Sequence, residues 1–170
     1  MTSLTPPLDI PEPQTEGQQF LFALRRNMEG ILRVIESVPT AALDWRPSFP
    51  GATDANTMGA LAVHTVTSGE WWILACVGGG STERDREAEF RATTTAPEAR
   101  TRFEQWYAQV EALIRDQPPE WFGALSHHPN GDRSNRRCLM HSVEHTAQHF
   151  GHLELTRDLW HAAHQGDSQT

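Results

Sequence analysis

The apolar residues of this chain recur every three or four positions in four long segments, and nowhere do they alternate over a strand's length. A recurrence near 3.6 buries one face of an α-helix, whereas a half-buried strand needs a period of two. The first segment runs from about Thr15 to Val38, with Phe20, Leu21, Leu24, Met28, Ile31, Leu32 and Ile35 in phase, and Pro39 stops it. The second runs from about Asn56 to Val77, opened by an Asn56 or Thr57 cap and closed by Gly78, Gly79 and Gly80. The third spans Pro97 to Asp116, with Pro97 in its first turn and Pro118-Pro119 beyond its end. The fourth spans Asn135 to Ala163. Four helices joined by loops too long for simple hairpins predict an all-α four-helix bundle with crossover connections.

The 170 residues suffice for one domain with a real core. We expect it to occupy residues 17–165, between a flexible lead-in at 1–16 and a short tail at 166–170. The opening MTSLTPPLDIPEPQTEG lacks a basic patch and a long apolar run, so we expect no signal peptide. No apolar run is long enough to predict a transmembrane helix. A formal charge of −8 argues against a partner rich in phosphate, whether nucleic acid or anionic lipid. Two cysteines, Cys76 and Cys138, are too few for a disulfide scaffold and read as reduced, buried residues of a cytoplasmic protein.

The fourth segment contains HSVEHTAQHFGH, four of the chain's nine histidines in twelve positions. Residues four apart on a helix share a face, so His145 and His149, or His141 and His145, can reach one metal ion together. The alternative is a polar stripe on a surface helix. The apolar arc of the same helix, Leu139, Val143, Thr146, Phe150 and Leu153, lies closest to His149 and next to His145. These two are expected to point inward, with His141 and His152 at the rim. On the second helix His64 falls in phase with Met58, Leu61, Ser68, Trp71 and Ala75. A histidine there can be a satisfied core residue, or the third imidazole of a site built between facing helices.

NTMGALAVHTVTSGEWW resembles the second-helix signature of the DinB/YfiT-like superfamily, and LMHSVEHTAQHFGHLELTRDLW resembles its last-helix signature. LDWRPS and RDREAEF are also similar to members, so the resemblance covers roughly Gly17 to Trp160. It implies up-down-down-up helix order and a homodimer. It further implies a metal triad of His64, His145 and His149, holding zinc, nickel or iron with water completing the shell.

Three neutral imidazoles leave an ion's charge uncompensated and a position open, the pattern of a catalytic site. Relatives implied by the resemblance use low-molecular-weight thiols such as bacillithiol, mycothiol or glutathione. The leading expectation is therefore a thiol S-transferase acting on a small electrophile. A metal-dependent hydrolase would need a base, and Glu70 and Glu144 both fall about 100° or more from the histidine directions. A non-catalytic, stress-related metal-binding bundle is the reading from a different class. Trp71 and Trp72 are expected as core and dimer-interface aromatics, and His127 and His128 as surface residues. The run Glu83 to Glu87 reads as a solvated loop, with Arg84 or Arg86 available to an anionic cofactor if it borders the site.

Overall fold

The structure, a computed structural model, describes residues 12–48 and 55–164. Most of the expected lead-in, the middle of the loop after the first helix, and the tail lie outside the described residues. Helix α1 is Glu16–Glu36, started by Thr15, whose side chain accepts from the Gln18 amide at 3.2 Å. After the short α2 (Thr40–Leu43), α3 spans Met58–Gly69 and is capped by Thr57, which accepts from the Ala60 amide at 3.1 Å. Helix α4 is a single turn, Arg86–Glu89. Helix α5 (Ala96–Ile114) opens on a reciprocal capping box between Thr95 and Glu98. After α6 (Pro119–Gly123), the strands β1 (Leu125–Ser126) and β2 (Arg133–Ser134) pair antiparallel across the turn before α7 (Asn135–His164).

The second long helix departs from the sequence expectation. It does not run as one α-helix to Val77. From Glu70 to Val77 it widens into a π-helix, marked at its end by the Gly78 amide donating to the Ile73 carbonyl at 2.9 Å. Gly79, at φ +77°, then turns the chain away.

Side-chain contacts fix the helix directions. Arg25 meets Glu104 and Arg100 meets Glu36, so α1 and α5 run antiparallel. Arg136 meets Glu16 and Asn27 donates to Thr146, so α1 and α7 run parallel. Arg102 donates to Thr67 and to Glu70 while Gly69 lies against Trp106, so α3 and α5 run parallel. His64 faces His145 while Trp72 faces His141, so α3 and α7 run antiparallel. The four long helices thus follow up-down-down-up order. Their shared core joins Leu24, Met28, Ile31 and Ile35 of α1 to Met58 and Leu61 of α3, Phe103 and Trp106 of α5, and Leu139 and Leu153 of α7. No described helix is long and apolar enough to cross a membrane.

Candidate metal centre

Where α3 and α7 cross, three imidazoles converge. Helical phase brings His64 to the inner face of α3, and the four-residue spacing puts His145 and His149 on the facing side of α7. His64 Nε2 lies 3.2 Å from His145 Nε2, and His149 Nε2 lies 3.1 Å from the same atom. One donor atom from each residue lies within 4.8 Å of the others. Nitrogens bound tetrahedrally at about 2.0–2.1 Å from a divalent ion sit about 3.3 Å apart, so the donor set fits such an ion. His64 is 3% exposed and His149 9%.

All three rings are held neutral. Burial pushes the His145 pKa down to about 3, aided by His149 and His64, and pushes His149 down to about 4, aided by His64 and His152. Burial also lowers His64, against the opposing pull of Glu89. Neutral imidazole is the form that ligates a metal.

Glu89 was not anticipated from the sequence. The turn α4 presents it, 5% exposed, to His64, whose Nδ1 lies 2.7 Å from one carboxylate oxygen. Arg84 grips the same carboxylate through Nε at 2.6 Å and an Nη atom at 2.7 Å. Burial works against the charged carboxylate, yet the hydrogen bonds from Arg84 and His64 hold its pKa below the usual range. An ionised Glu89 accepts the Nδ1 proton of a neutral His64, which leaves Nε2 as a bare lone pair facing the cluster. His149 Nδ1 in turn lies 3.3 Å from His152 Nδ1. Arg84 is therefore not part of a solvated run, as expected from the sequence. It is the partner of a buried carboxylate.

His141 stays outside the triad, its ring 5.7 Å from His145 and 4.2 Å from Trp72. Trp71 and Trp72 are half-buried, and Trp71 Nε1 donates to the Thr82 carbonyl at 2.8 Å. His128 corrects the expectation of a surface residue. It is 5% exposed, its ring tilted 30° to that of Trp72 at 4.7 Å and edge-on to Trp71 at 5.1 Å, whereas His127 is exposed as expected. The two-residue β1–β2 pairing folds the loop back and carries His128 onto the tryptophans. Glu70 pairs with Arg102 and Glu144 with Arg137, so neither reaches the cluster. A cleft of about 450 Å³, lined in part by Thr67, Trp71 and Gln109, shares Arg84 and Glu89 with the cluster's surroundings, but none of the three histidines lines it.

A family model described as the DinB superfamily matches residues 23–153. Among solved structures, a conserved protein from Enterococcus faecalis superposes with a TM-score of 0.71 at 14% identity, covering 86% of this chain and 98% of that one. A DinB-like protein from Bacillus cereus superposes with a TM-score of 0.63 at 20% identity, covering 81% of this chain and 87% of that one. No curated protein matches.

Proposed function

This chain belongs to the DinB superfamily, and from that premise we propose that it is a divalent-metal-dependent enzyme, a low-molecular-weight-thiol S-transferase, with His64, His145 and His149 as the metal ligands. The observation that carries the proposal is the convergence of three neutral imidazoles from two facing helices, with His145 Nε2 at 3.1–3.2 Å from the other two nitrogens and all three within 4.8 Å of one another. When bound there, a divalent ion such as zinc, nickel or iron supplies the Lewis acidity that lowers the pKa of a coordinated thiol or water. The chain's own groups do the rest. Glu89 fixes the tautomer of His64 and so aims its Nε2 lone pair at the cluster, and His152 contacts His149 Nδ1. His141 neighbours His145 and packs on Trp72, and the two rings offer an aromatic wall to a small acceptor.

Thiol transfer is favoured over hydrolysis because the nearby carboxylates are already committed. Glu89 is held by Arg84 and His64, Glu70 by Arg102, and Glu144 by Arg137. A water nucleophile would lack a general base, whereas a thiol needs only to lose its proton. The thiol proton leaves to solvent, sulfur bonds to the electrophilic carbon, and the leaving group departs with its electron pair. The functional unit in this reading is the domain of residues 17–165, working in the cytoplasm as a homodimer on a thiol and a small electrophile.

Two measurements test it. Elemental analysis of gently purified protein should find a stoichiometric divalent ion that the His145→Ala variant lacks, and an unchanged content in the variant refutes the ligand set. Metal-loaded protein should consume bacillithiol, mycothiol or glutathione with chlorinated or epoxide acceptors faster than His64→Ala. A blank panel, with a chelator still lowering Tm, would instead favour an ion that only stabilises the bundle.

A further inference from the structure

Helix α7 turns His145 and His149 inward and leaves an unusual outer face. Leu155 is 59% exposed and Met140 43%, two of the large apolar side chains most open to solvent among the described residues. Around them the face exposes Arg137, Glu144, Ala147, Gln148, Gly151 and Asp158, at the three- and four-residue spacing of one helix side. The order of these residues is close to a palindrome. About the midpoint between Ala147 and Gln148, Met140 mirrors Leu155, Arg137 mirrors Asp158, and Glu144 mirrors Gly151.

We propose that this face of α7 pairs antiparallel with its own copy about a two-fold axis at Ala147–Gln148. The proposal takes up the homodimer of the preceding reading but stands on the surface of α7 alone. In that register each Met140 packs on the partner's Leu155, and each Arg137 meets the partner's Asp158. Ala147 and Gly151 are small where the helices cross. A Cβ at Gly151 would meet nothing within 4 Å in the monomer, so the space beside it is open to an approaching helix. A parallel pairing would instead set Arg137 on Arg137, Glu144 on Glu144 and Asp158 on Asp158, which like-charge repulsion disfavours. Within the chain Arg137 has only the exposed Glu144 at 3.5 Å, and Asp158 has Arg157 at 2.8 Å, so both can also reach across. An isologous interface requires this kind of self-complementarity. His141 and His152 flank the same face, so the paired helix would border the imidazole cluster.

The test uses the full chain. Light scattering should find a dimer at micromolar concentration. Gly151→Glu should keep the wild-type Tm when both are melted below the dimer Kd but raise that Kd at least ~100-fold, because in this register it sets a carboxylate against the partner's Glu144. Mild oxidation of the double variant Met140→Cys, Leu155→Cys should give a covalent dimer. Each single variant should not, since in this register two copies of one position lie about 22 Å apart along the axis. Cys76 and Cys138 are buried and leave the wild type as a clean control. A monomeric wild type overturns both the homodimer and the face. A dimer indifferent to Gly151→Glu, or covalent dimers from the single variants, overturns the face and leaves the homodimer standing. None of these outcomes bears on metal content.

Discussion

Glu89 touches His64 and Arg84 at once, and its burial makes the two contacts interdependent. In Glu89→Gln the side-chain oxygen can still accept the His64 Nδ1 proton, but the negative charge is gone and Arg84 loses its bidentate partner. We expect metal affinity to fall ~10–100-fold, the usual cost of losing a second-layer partner of a ligating histidine. Metal-free stability should fall by about 3–5 kcal/mol, since one side of a buried pair is left uncompensated. Competition with a chromophoric chelator reads the first and urea denaturation the second; wild-type affinity in the variant would remove Glu89 from the site. The contrast with His64, His145 and His149 shows what sequence can say about a residue. Those three were legible because helical phase alone decides which way they point. Glu89 sits in the polar run STERDREAEFRATTT, where nothing local separates a buried carboxylate from a solvated one. The signal that was available is its neighbour Phe90, the one large apolar residue of that run, whose ring packs 4.5 Å from the His64 ring. His128 was missed for a related reason. Its turn, His128-Pro129-Asn130-Gly131, reads as surface, and only the pairing of two very short strands brings it onto Trp72.

The long helices were legible within a few residues of their ends, because Pro39, the glycines at 78–80 and Pro97 act locally. The change of helix type at Glu70 was not. The segment EWWILACV is apolar nearly all round, so its period cannot distinguish an α-turn from a wider one. Packing decides it. Gly69, the last α-helical residue of α3, lies under the Trp106 indole, and a Cβ there would sit 2.8 Å from Cε2 of that ring. Trp106 is itself fully buried and cannot swing away. The variant Gly69→Ala should therefore overpack the α3–α5 interface and lower stability by about 1–3 kcal/mol, although alanine is the better helix former. Gly151→Ala, on the open side of α7, should be neutral or slightly stabilising by denaturation below the dimer Kd. If Gly69→Ala instead matched Gly151→Ala, the close approach of α3 to Trp106 would not be what sets the junction with the π-helix.

At the scale of the whole molecule, the neutral cluster couples folding, metal and protons. Histidines in an unfolded chain titrate near ~6.5. In the fold His64 is lowered, His149 lies at about 4 and His145 at about 3. Between those values and ~6.5 the unfolded chain binds more protons than the native one, so stability rises with pH through that window. Glu89, also lowered, acts in the same direction at more acidic pH. Chelator-treated protein should therefore hold its Tm above pH 6.5 and lose it steadily as the pH falls toward 4. The loaded protein adds mass action to this. At a free ion concentration ~100 times Kd the native state gains about 2.7 kcal/mol, and protons compete for the same nitrogens only once the pH falls to the values of His149, about 4, and His145, about 3. The gap in Tm between loaded and metal-free protein should thus hold from neutral pH down to about pH 4 and close only below it, even as both melting temperatures fall. The same pair of melts on His145→Ala should show no gap at any pH. A gap that persisted in His145→Ala would mean that the bound ion sits elsewhere, and the imidazole cluster would then be a buried core network rather than a metal site.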